Sequence, residues 1–286
     1  MGASKHFLVG LAIASLLQTG GLLAQPAPAH GEHASRPANR SAQAPWTPQP
    51  MLRAAGRPGD RGAMPFAVSG FAPESVQVFG PLNPDQPRTP MFEQGRWSVS
   101  PDEGGGFHWI EALQRQPGHI VRASTVWSFS GKGASPAALL QRRGEGLEIR
   151  PVRIPERGGY RESSSWDFRL LLDGQPLSGH EIALLTENGT RQTFKSDATG
   201  IVSVTFPRDF SPESIDPEQG AARTRKAYLL EASLQQDGQH LQTSFSYFYT
   251  PDLMRERSLG WGVGFMALGM LLAVPLLRRR QGASHA

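Results

Sequence analysis

The sequence predicts an all-β fold, with an immunoglobulin-like antiparallel sandwich over residues 147–250 and a preceding β layer over residues 64–146. Three observations support this fold class. Apolar and polar residues alternate in several short runs, turn-forming dipeptides separate those runs, and about seven runs fall within roughly 100 residues, which is the strand density of such a sandwich. No pattern of a helix-rich catalytic scaffold is present.

The preceding β layer is predicted from four short apolar runs, at 75–79, 96–100, 108–113 and 119–130. The last run has the clearest period of two. Val121, Ala123 and Trp127 fall on one face of it, and Arg122 and Ser124 fall on the other. This alternation predicts an antiparallel strand with one face buried and one face in water.

The sandwich is predicted from seven further runs, at 147–153, 166–172, 181–186, 190–195, 201–206, 226–234 and 241–249. Asn188-Gly189 and Asp237-Gly238 lie directly between alternating runs, and Asp173-Gly174 is a similar dipeptide. Because these residues tolerate positive φ, the first two dipeptides predict two-residue hairpin loops. Residues 136–143, in the polar break before the sandwich, predict a short helix.

The core of the sandwich is predicted from aromatic and aliphatic residues that share strand faces. Phe168 and Leu170 lie on one face of their run, together with Trp166 and Leu172, and Phe245 and Tyr247 share a face of the last run; burial of each such side chain contributes about 1.5–3 kcal/mol. The chain has no cysteine, which excludes disulfides, thiolate metal sites and cysteine nucleophiles. The fold therefore depends on burial alone.

Two apolar stretches near the ends of the chain predict its location. Residues 7–17 follow Lys5 and precede small residues and prolines, which predicts a signal peptide over residues 1–29. An uncharged stretch before Arg278-Arg279-Arg280 predicts a transmembrane helix over residues 258–278 and a cytoplasmic tail over 279–286. We expect a single-pass protein of the cytoplasmic (inner) membrane, with most of the chain in the periplasm or extracellular space.

Residues 30–63 are rich in proline and alanine, and their scattered apolar residues have no period. This composition predicts a disordered linker. The net charge is +4, and the arginines are dispersed along the chain rather than interleaved with aromatic residues. We therefore expect no nucleic-acid partner, and we expect an anionic membrane surface instead.

Three motifs in the sandwich region carry a family resemblance. They are Leu147-Glu148-Ile149-Arg150-Pro151, then Asp173-Gly174-Gln175-Pro176-Leu177-Ser178-Gly179, then Ser196-Asp197-Ala198-Thr199-Gly200. In order and spacing these motifs resemble a family of bacterial periplasmic proteins of unknown function, which are often described as associated with nickel or cobalt uptake. The resemblance covers residues 147–206. It implies a carboxypeptidase-regulatory-like or transthyretin-like sandwich and a role in metal uptake.

Candidate metal ligands lie in a histidine-rich segment directly after the predicted signal peptide. Cleavage after Ala29 makes His30 the first residue, so its amino group and ring, with His33 and Glu32, form a chelate for nickel, cobalt or copper. Under the alternative, cleavage falls after Ala24 and both histidines are merely solvated.

His108 is the third candidate ligand. His108 and His119 flank an apolar run, and they approach each other if the chain turns within residues 111–118. The alternative is that both are packed or surface side chains.

The sequence contains no nucleophile elbow, no zinc-protease His-Glu-x-x-His motif, no P-loop and no dinucleotide fingerprint, so we expect no enzymatic activity. The leading hypothesis is a membrane-anchored extracytoplasmic accessory protein. It binds or delivers nickel, cobalt or copper to an uptake system, with a metal permease or another envelope protein as its partner. The alternative hypothesis is a non-catalytic structural or interaction module of the bacterial envelope that binds no metal.

Overall fold

Strands make up most of the regular structure in the part of the chain that the computed structural model describes. That part is residues 46–252 except 59–61, 132, 156–158, 212 and 214–223, together with residue 270. The prediction of an all-β fold is confirmed, and most of the strand pairings are antiparallel. In chain order the elements are β1 (Met51–Ala54), β2 (Met64–Ser69), β3 (Ser75–Phe79), β4 (Met91–Glu93), β5 (Arg96–Val99), β6 (Gly106–Gln116), β7 (His119–Phe129), α1 (Ala137–Gln141), β8 (Leu147–Pro151), β9 (Tyr160–Arg161), β10 (Ser165–Leu172), β11 (Gln175–Pro176), β12 (Glu181–Thr186), β13 (Arg191–Lys195), β14 (Ile201–Thr205), β15 (Lys226–Gln236) and β16 (Gln239–Thr250).

A central sheet of eight strands has the order β13-β12-β15-β16-β7-β6-β3, with β9 paired to one end of β16. Two long antiparallel hairpins, β6–β7 and β15–β16, lie side by side within it. They are joined by a parallel pairing of β7 with β16, in which His119 is the partner of His240 and Thr125 is the partner of Ser246. Strands from the two predicted β regions therefore share one sheet.

Two smaller sheets cover opposite faces of the central sheet. The amino-terminal sheet has the order β1-β2-β5-β4, and the carboxy-terminal sheet contains β8, β10, β11 and β14. One core, which includes Leu52, Phe66 and Ile110, lies under the amino-terminal sheet. The other core, which includes Phe168 and Phe245, lies under the carboxy-terminal sheet. Strands β3, β6 and β7 supply both cores, because their alternate side chains point to opposite faces of the central sheet.

The seven strands predicted for residues 147–250 all coincide with observed strands, namely β8, β10, β12, β13, β14, β15 and β16. The predicted helix is α1. The predicted core is also observed: Phe168, Leu170 and Phe245 are fully buried, and Trp166, Leu172 and Tyr247 pack against them. Phe168 and Phe245 face each other between the two sheets with ring centroids 6.0 Å apart.

The prediction that β7 is buried on one face only is wrong. Ala123 and Val121 are buried on one face as expected, but Arg122, Ser124 and Val126 on the other face are also buried. The cause is tertiary, because β7 lies in the middle of a sheet that is covered on both sides. The alternation of polar residues here reflects partners in the interior rather than contact with water.

Residues 51–54 lie within the predicted linker but form strand β1. Met51 and Leu52 are fully buried. Ser244 donates a hydrogen bond from Oγ to the Pro50 carbonyl over 2.6 Å, and Ser246 donates one to the Leu52 carbonyl. These hydrogen bonds could not be predicted from the sequence, because each serine lies 194 residues from its acceptor along the chain.

The two predicted hairpin loops differ in length. Asp237 and Gly238 both have positive φ, at 49° and 75°, and they connect β15 to β16 as a two-residue loop. In the other hairpin Thr186 donates its backbone N–H to the Thr190 carbonyl, so three residues form the loop and only Gly189 has positive φ. The two-residue prediction is confirmed for the first loop and wrong for the second.

The predicted signal peptide over residues 1–29 lies outside the described residues. The predicted transmembrane helix over residues 258–278 also lies outside them, apart from residue 270. Among the residues that are described, no helix is long and apolar enough to span a membrane.

Candidate functional site

A polar groove of about 520 Å³ lies on the face of the central sheet opposite the carboxy-terminal sheet, across β13, β12, β15 and β16. We call it the central groove. Its lining residues are Gln49, Gly179, His180, Glu181, Ala183, Arg191, Thr193, Glu231, Ala232, Ser233, His240 and Gln242.

Strand periodicity puts these polar side chains in the groove. In β12, Ile182 and Leu184 point into the core, so Glu181 points the other way. In β15, Leu230 points into the core, so Glu231 points into the groove. The polar surface is therefore the reverse side of the strands that build the larger core.

One ion pair crosses the groove. Nη2 of Arg191 lies 3.0 Å from Oε1 of Glu231. Burial raises the pKa of Glu231, and the charge of Arg191 opposes this rise. Two further side chains are held at the rim. His180 is hydrogen-bonded through Nε2 to the Ser233 carbonyl over 2.7 Å, and Gln242 donates to the side-chain oxygen of Gln49 over 3.1 Å.

Two histidines lie side by side at one end of the groove. His119 on β7 and His240 on β16 are register partners in the parallel pairing, so both side chains are on the same face of the central sheet. Their ring centroids are 4.9 Å apart and the ring planes are inclined by 51°. Nε2 of His119 is buried and has no hydrogen-bond partner among the described residues. His240 is also held through its backbone, because its N–H donates to the Gly118 carbonyl over 2.8 Å.

Adjacent imidazoles with a free ring nitrogen are suited to a borderline divalent ion such as nickel, cobalt or copper. A two-histidine site leaves coordination positions open, which water or a partner's ligands can fill. The described residues contain no group of three or more histidine, cysteine, aspartate or glutamate side chains placed to hold a metal ion.

His108, one of the predicted ligands, lies elsewhere and is fully buried. Its ring nitrogens are both engaged: Nδ1 donates to the Gly106 carbonyl over 3.1 Å, and Nε2 accepts the Asp102 backbone N–H over 3.1 Å. Burial is the main cause that lowers the pKa of His108, although the Gly106 carbonyl and the Asp102 carboxylate act in the opposite direction. Arg88 binds the same carboxylate with Nε 3.0 Å from Oδ1.

The prediction that His108 and His119 approach each other is wrong. His108 is the register partner of Trp127, whereas His119 is the partner of Gln116 at the turn. The two histidines therefore lie at opposite ends of the β6–β7 hairpin. His30 and His33 lie outside the described residues.

The pairing of His119 with His240 was not predicted from the sequence. One signal was present, because each histidine comes just after a turn glycine: Gly118 directly precedes His119, and Gly238 lies two residues before His240. When two hairpins lie side by side with their turns at the same end, the residues that follow the two turns become neighbours. Nothing in the sequence indicates that these two hairpins are neighbours.

The chain matches no protein-family model and no curated protein. Among solved structures, the apo structure of Bacteroides uniformis beta-glucuronidase 3 is similar over 72% of this chain and 25% of that chain, at 14% sequence identity and a TM-score of 0.20.

Proposed function

We propose that this chain is a non-enzymatic accessory protein, exported and anchored by residues 258–278, that binds or delivers nickel, cobalt or copper to an uptake system. The observation that carries the metal assignment is the His119–His240 pair at the end of the central groove. The resemblance over residues 147–206 and the histidine-rich start at His30 and His33 support the same chemistry.

The proposal has two binding elements that can be separated experimentally. The His119–His240 pair is held by strand pairing, so its rings are placed before any ion arrives. The amino-terminal chelate at His30 requires cleavage after Ala29. Sequencing the mature amino terminus decides whether that second element can exist.

Calorimetric titration of the full-length chain with Ni²⁺, Co²⁺ and Cu²⁺ tests the proposal. We expect binding by the wild type that weakens at least tenfold in a His119→Ala/His240→Ala variant. His180→Ala is the matched control, because His180 lines the same groove but is hydrogen-bonded to Ser233. No binding by the wild type, or equal affinity in the double variant and the wild type, would reject the site at His119 and His240. The same titration of a His30→Ala/His33→Ala variant measures the contribution of the amino-terminal chelate.

A second candidate function is an interaction module of the envelope that binds no metal. The observation that favours it is strand β4 at the edge of the amino-terminal sheet, where Met91 is 63% exposed and Phe92 is 59% exposed. Exposed apolar side chains on an unpaired edge are a means of recruiting a partner strand. Loss of partner cross-linking in a Met91→Ser/Phe92→Ser variant, with unchanged metal titration, would favour this function.

We also infer that residues 147–250 are an immunoglobulin-like sandwich. The division into β8, β10 and β14 on one side and β12, β13, β15 and β16 on the other supports this, since seven strands split between two facing sheets is the pattern of that fold. The additional pairing of β16 with β7 extends one of the two sheets.

A further inference from the structure

A second pocket, of about 430 Å³, lies on the outer face of the carboxy-terminal sheet beside the segment that follows α1. We call it the basic pocket, after the four arginines that line it, Arg142, Arg143, Arg150 and Arg169. No aspartate or glutamate is among the described residues that line it. It shares no lining residue with the central groove.

Strand register brings two of these arginines together. Arg169 on β10 is the partner of Arg150 on β8 and of Ile201 on β14, so the three side chains form a row on one face of the sheet. Phe168 and Leu170 point into the core, which places this row on the outer face. Arg142 and Arg143 come directly after α1 and complete the wall.

Two of the four arginines belong to a buried charge cluster that reaches into the protein interior. The cluster consists of Arg122, Arg142, Arg150, Glu111 and Glu148, all of them at least nine-tenths buried. Glu148 binds Arg150 Nη2 through Oε2 over 2.5 Å and Arg122 Nη1 through Oε1 over 2.6 Å. Glu111 binds Arg142 Nη2 through Oε2 over 2.8 Å.

The cluster has more positive than negative charge, with three guanidinium groups and two carboxylates. Its hydrogen bonds are also incomplete. Nε of Arg142 and Nε of Arg150 are buried and have no hydrogen-bond partner among the described residues, and both side chains line the basic pocket. A buried cation without a matched anion is costly, and buried N–H groups are normally satisfied.

The exposed arginines of the pocket add to this imbalance. Arg143 and Arg169 are exposed, and neither has a carboxylate within ion-pair distance in the described part of the chain. Surface arginines elsewhere, such as Arg115 and Arg191, do have such partners. The pocket therefore combines an uncompensated interior charge with two unpaired guanidinium groups at its mouth.

We propose that the basic pocket binds a phosphate group. A guanidinium presents paired N–H donors that match two oxygens of a phosphate, and several arginines around one concavity are the usual arrangement for that anion. A dianionic phosphate supplies the missing negative charge and acceptors for free N–H groups. Leu140, Leu171 and Ile201 form an apolar part of the lining, which accommodates a short organic substituent on the phosphate.

The test is calorimetric titration of the full-length chain with inorganic phosphate, together with the shift in melting temperature that phosphate produces. The variant is Arg143→Gln/Arg169→Gln, because both side chains are exposed and their replacement leaves the core intact. The matched control is Arg115→Gln/Arg161→Gln, which removes the same charge from other exposed positions. We expect at least tenfold weaker binding in the pocket variant and less than a twofold change in the control.

Two results would overturn the proposal: no heat and no melting shift with phosphate in the wild type, or equal affinity in the pocket variant and the wild type. Parallel titrations with glycerol 3-phosphate and with short-chain phosphatidylglycerol identify the source of the phosphate. Tighter binding of the monoester supports a soluble ligand, and tighter binding of the lipid supports a membrane headgroup. Neither result depends on whether the His119–His240 pair binds a metal.

Discussion

At the scale of the residue, Glu148 is the carboxylate that joins three arginines in the buried charge cluster. It is almost fully buried and lies within ion-pair distance of three arginines. Two of them line the basic pocket, and the third, Arg122, projects from the middle of the central sheet. A single carboxylate therefore connects the carboxy-terminal sheet, the segment after α1 and the central sheet. Its loss leaves Arg150 without a carboxylate partner among the described residues, and leaves Arg122 and Arg142 with Glu111 alone.

We predict that Glu148→Gln lowers the free energy of unfolding by about 3–5 kcal/mol, because removing one partner of a buried ion pair exposes the full desolvation cost of the other. Denaturant titration measures this change. The control is Glu74→Gln, since Glu74 pairs with Arg115 over 3.0 Å at the surface, where such a pair is worth about 1 kcal/mol or less. Equal losses in the two variants would contradict the role assigned to the buried cluster.

His108 gives a prediction about pH. Because burial lowers its pKa in the folded state below the ordinary value of 6.5, the unfolded chain binds a proton more readily. The contribution of neutral His108 to stability is therefore present above pH 6.5 and is lost as the pH falls from 6.5 through the folded-state pKa. We expect the wild type to lose more stability between pH 7.5 and pH 5.5 than a His108→Gln variant does, as measured by urea unfolding. Equal losses of stability in the two proteins over this pH range would refute the prediction.

At the scale of the element, β1 shows how a short strand is fixed by distant side chains. It pairs with β2 at one edge, and the carbonyls before and within it accept hydrogen bonds from serines of β16. Its own sequence, Met51-Leu52-Arg53-Ala54, lies in a proline-rich stretch and has too few residues to establish a period.

We predict that Ser244→Ala destabilises the protein by about 1 kcal/mol, since it removes a buried donor and leaves the Pro50 carbonyl without it. Urea unfolding reports the loss, and faster cleavage near residue 50 in limited proteolysis reports loosening of β1. Ser203→Ala is the comparison, because Ser203 is exposed and its hydroxyl donates to the Asp167 side chain. If the exposed variant is as unstable as the buried one, the serine contacts do not hold β1.

The strands of residues 147–250 could be predicted because each is a local pattern bounded by turn residues. Asp237-Gly238 fixes its hairpin through two positive φ angles, which is a property of those two residues. The loop at Asn188-Gly189 is one residue longer, and its three-residue form follows from the hydrogen bond between Thr186 and Thr190. Dipeptide composition therefore indicated the turn but not its length.

At the scale of the whole molecule, the shared central sheet joins the two predicted β regions. The pairing of β7 with β16 extends over seven register partners, and the two cores lie on opposite faces of β3, β6 and β7. Each core loses a wall if the central sheet comes apart. Disruption of one core therefore destabilises the other core as well.

We therefore predict a single cooperative unfolding transition for the described region. Trp97 lies in the amino-terminal sheet and Trp166 in the carboxy-terminal sheet, so the fluorescence that a Trp97→Phe or a Trp166→Phe variant loses relative to the wild type reports on one sheet. In urea, the fluorescence of each variant and its far-ultraviolet circular dichroism should give coincident curves. Two transitions with different midpoints would mean that the two cores unfold independently.

The sequence by itself determined the all-β class, most strand positions and much of the carboxy-terminal core, because alternation, turn residues and apolar side chains act over a few neighbouring residues. Only the tertiary structure decided that β7 is buried on both faces, that His119 lies beside His240, and that three arginines share two buried carboxylates. Each of these depends on which strands become neighbours across the sheets. The physical reason is that local patterns determine which face of a strand is apolar. The pairing and layering of distant segments determine which residues that face contacts.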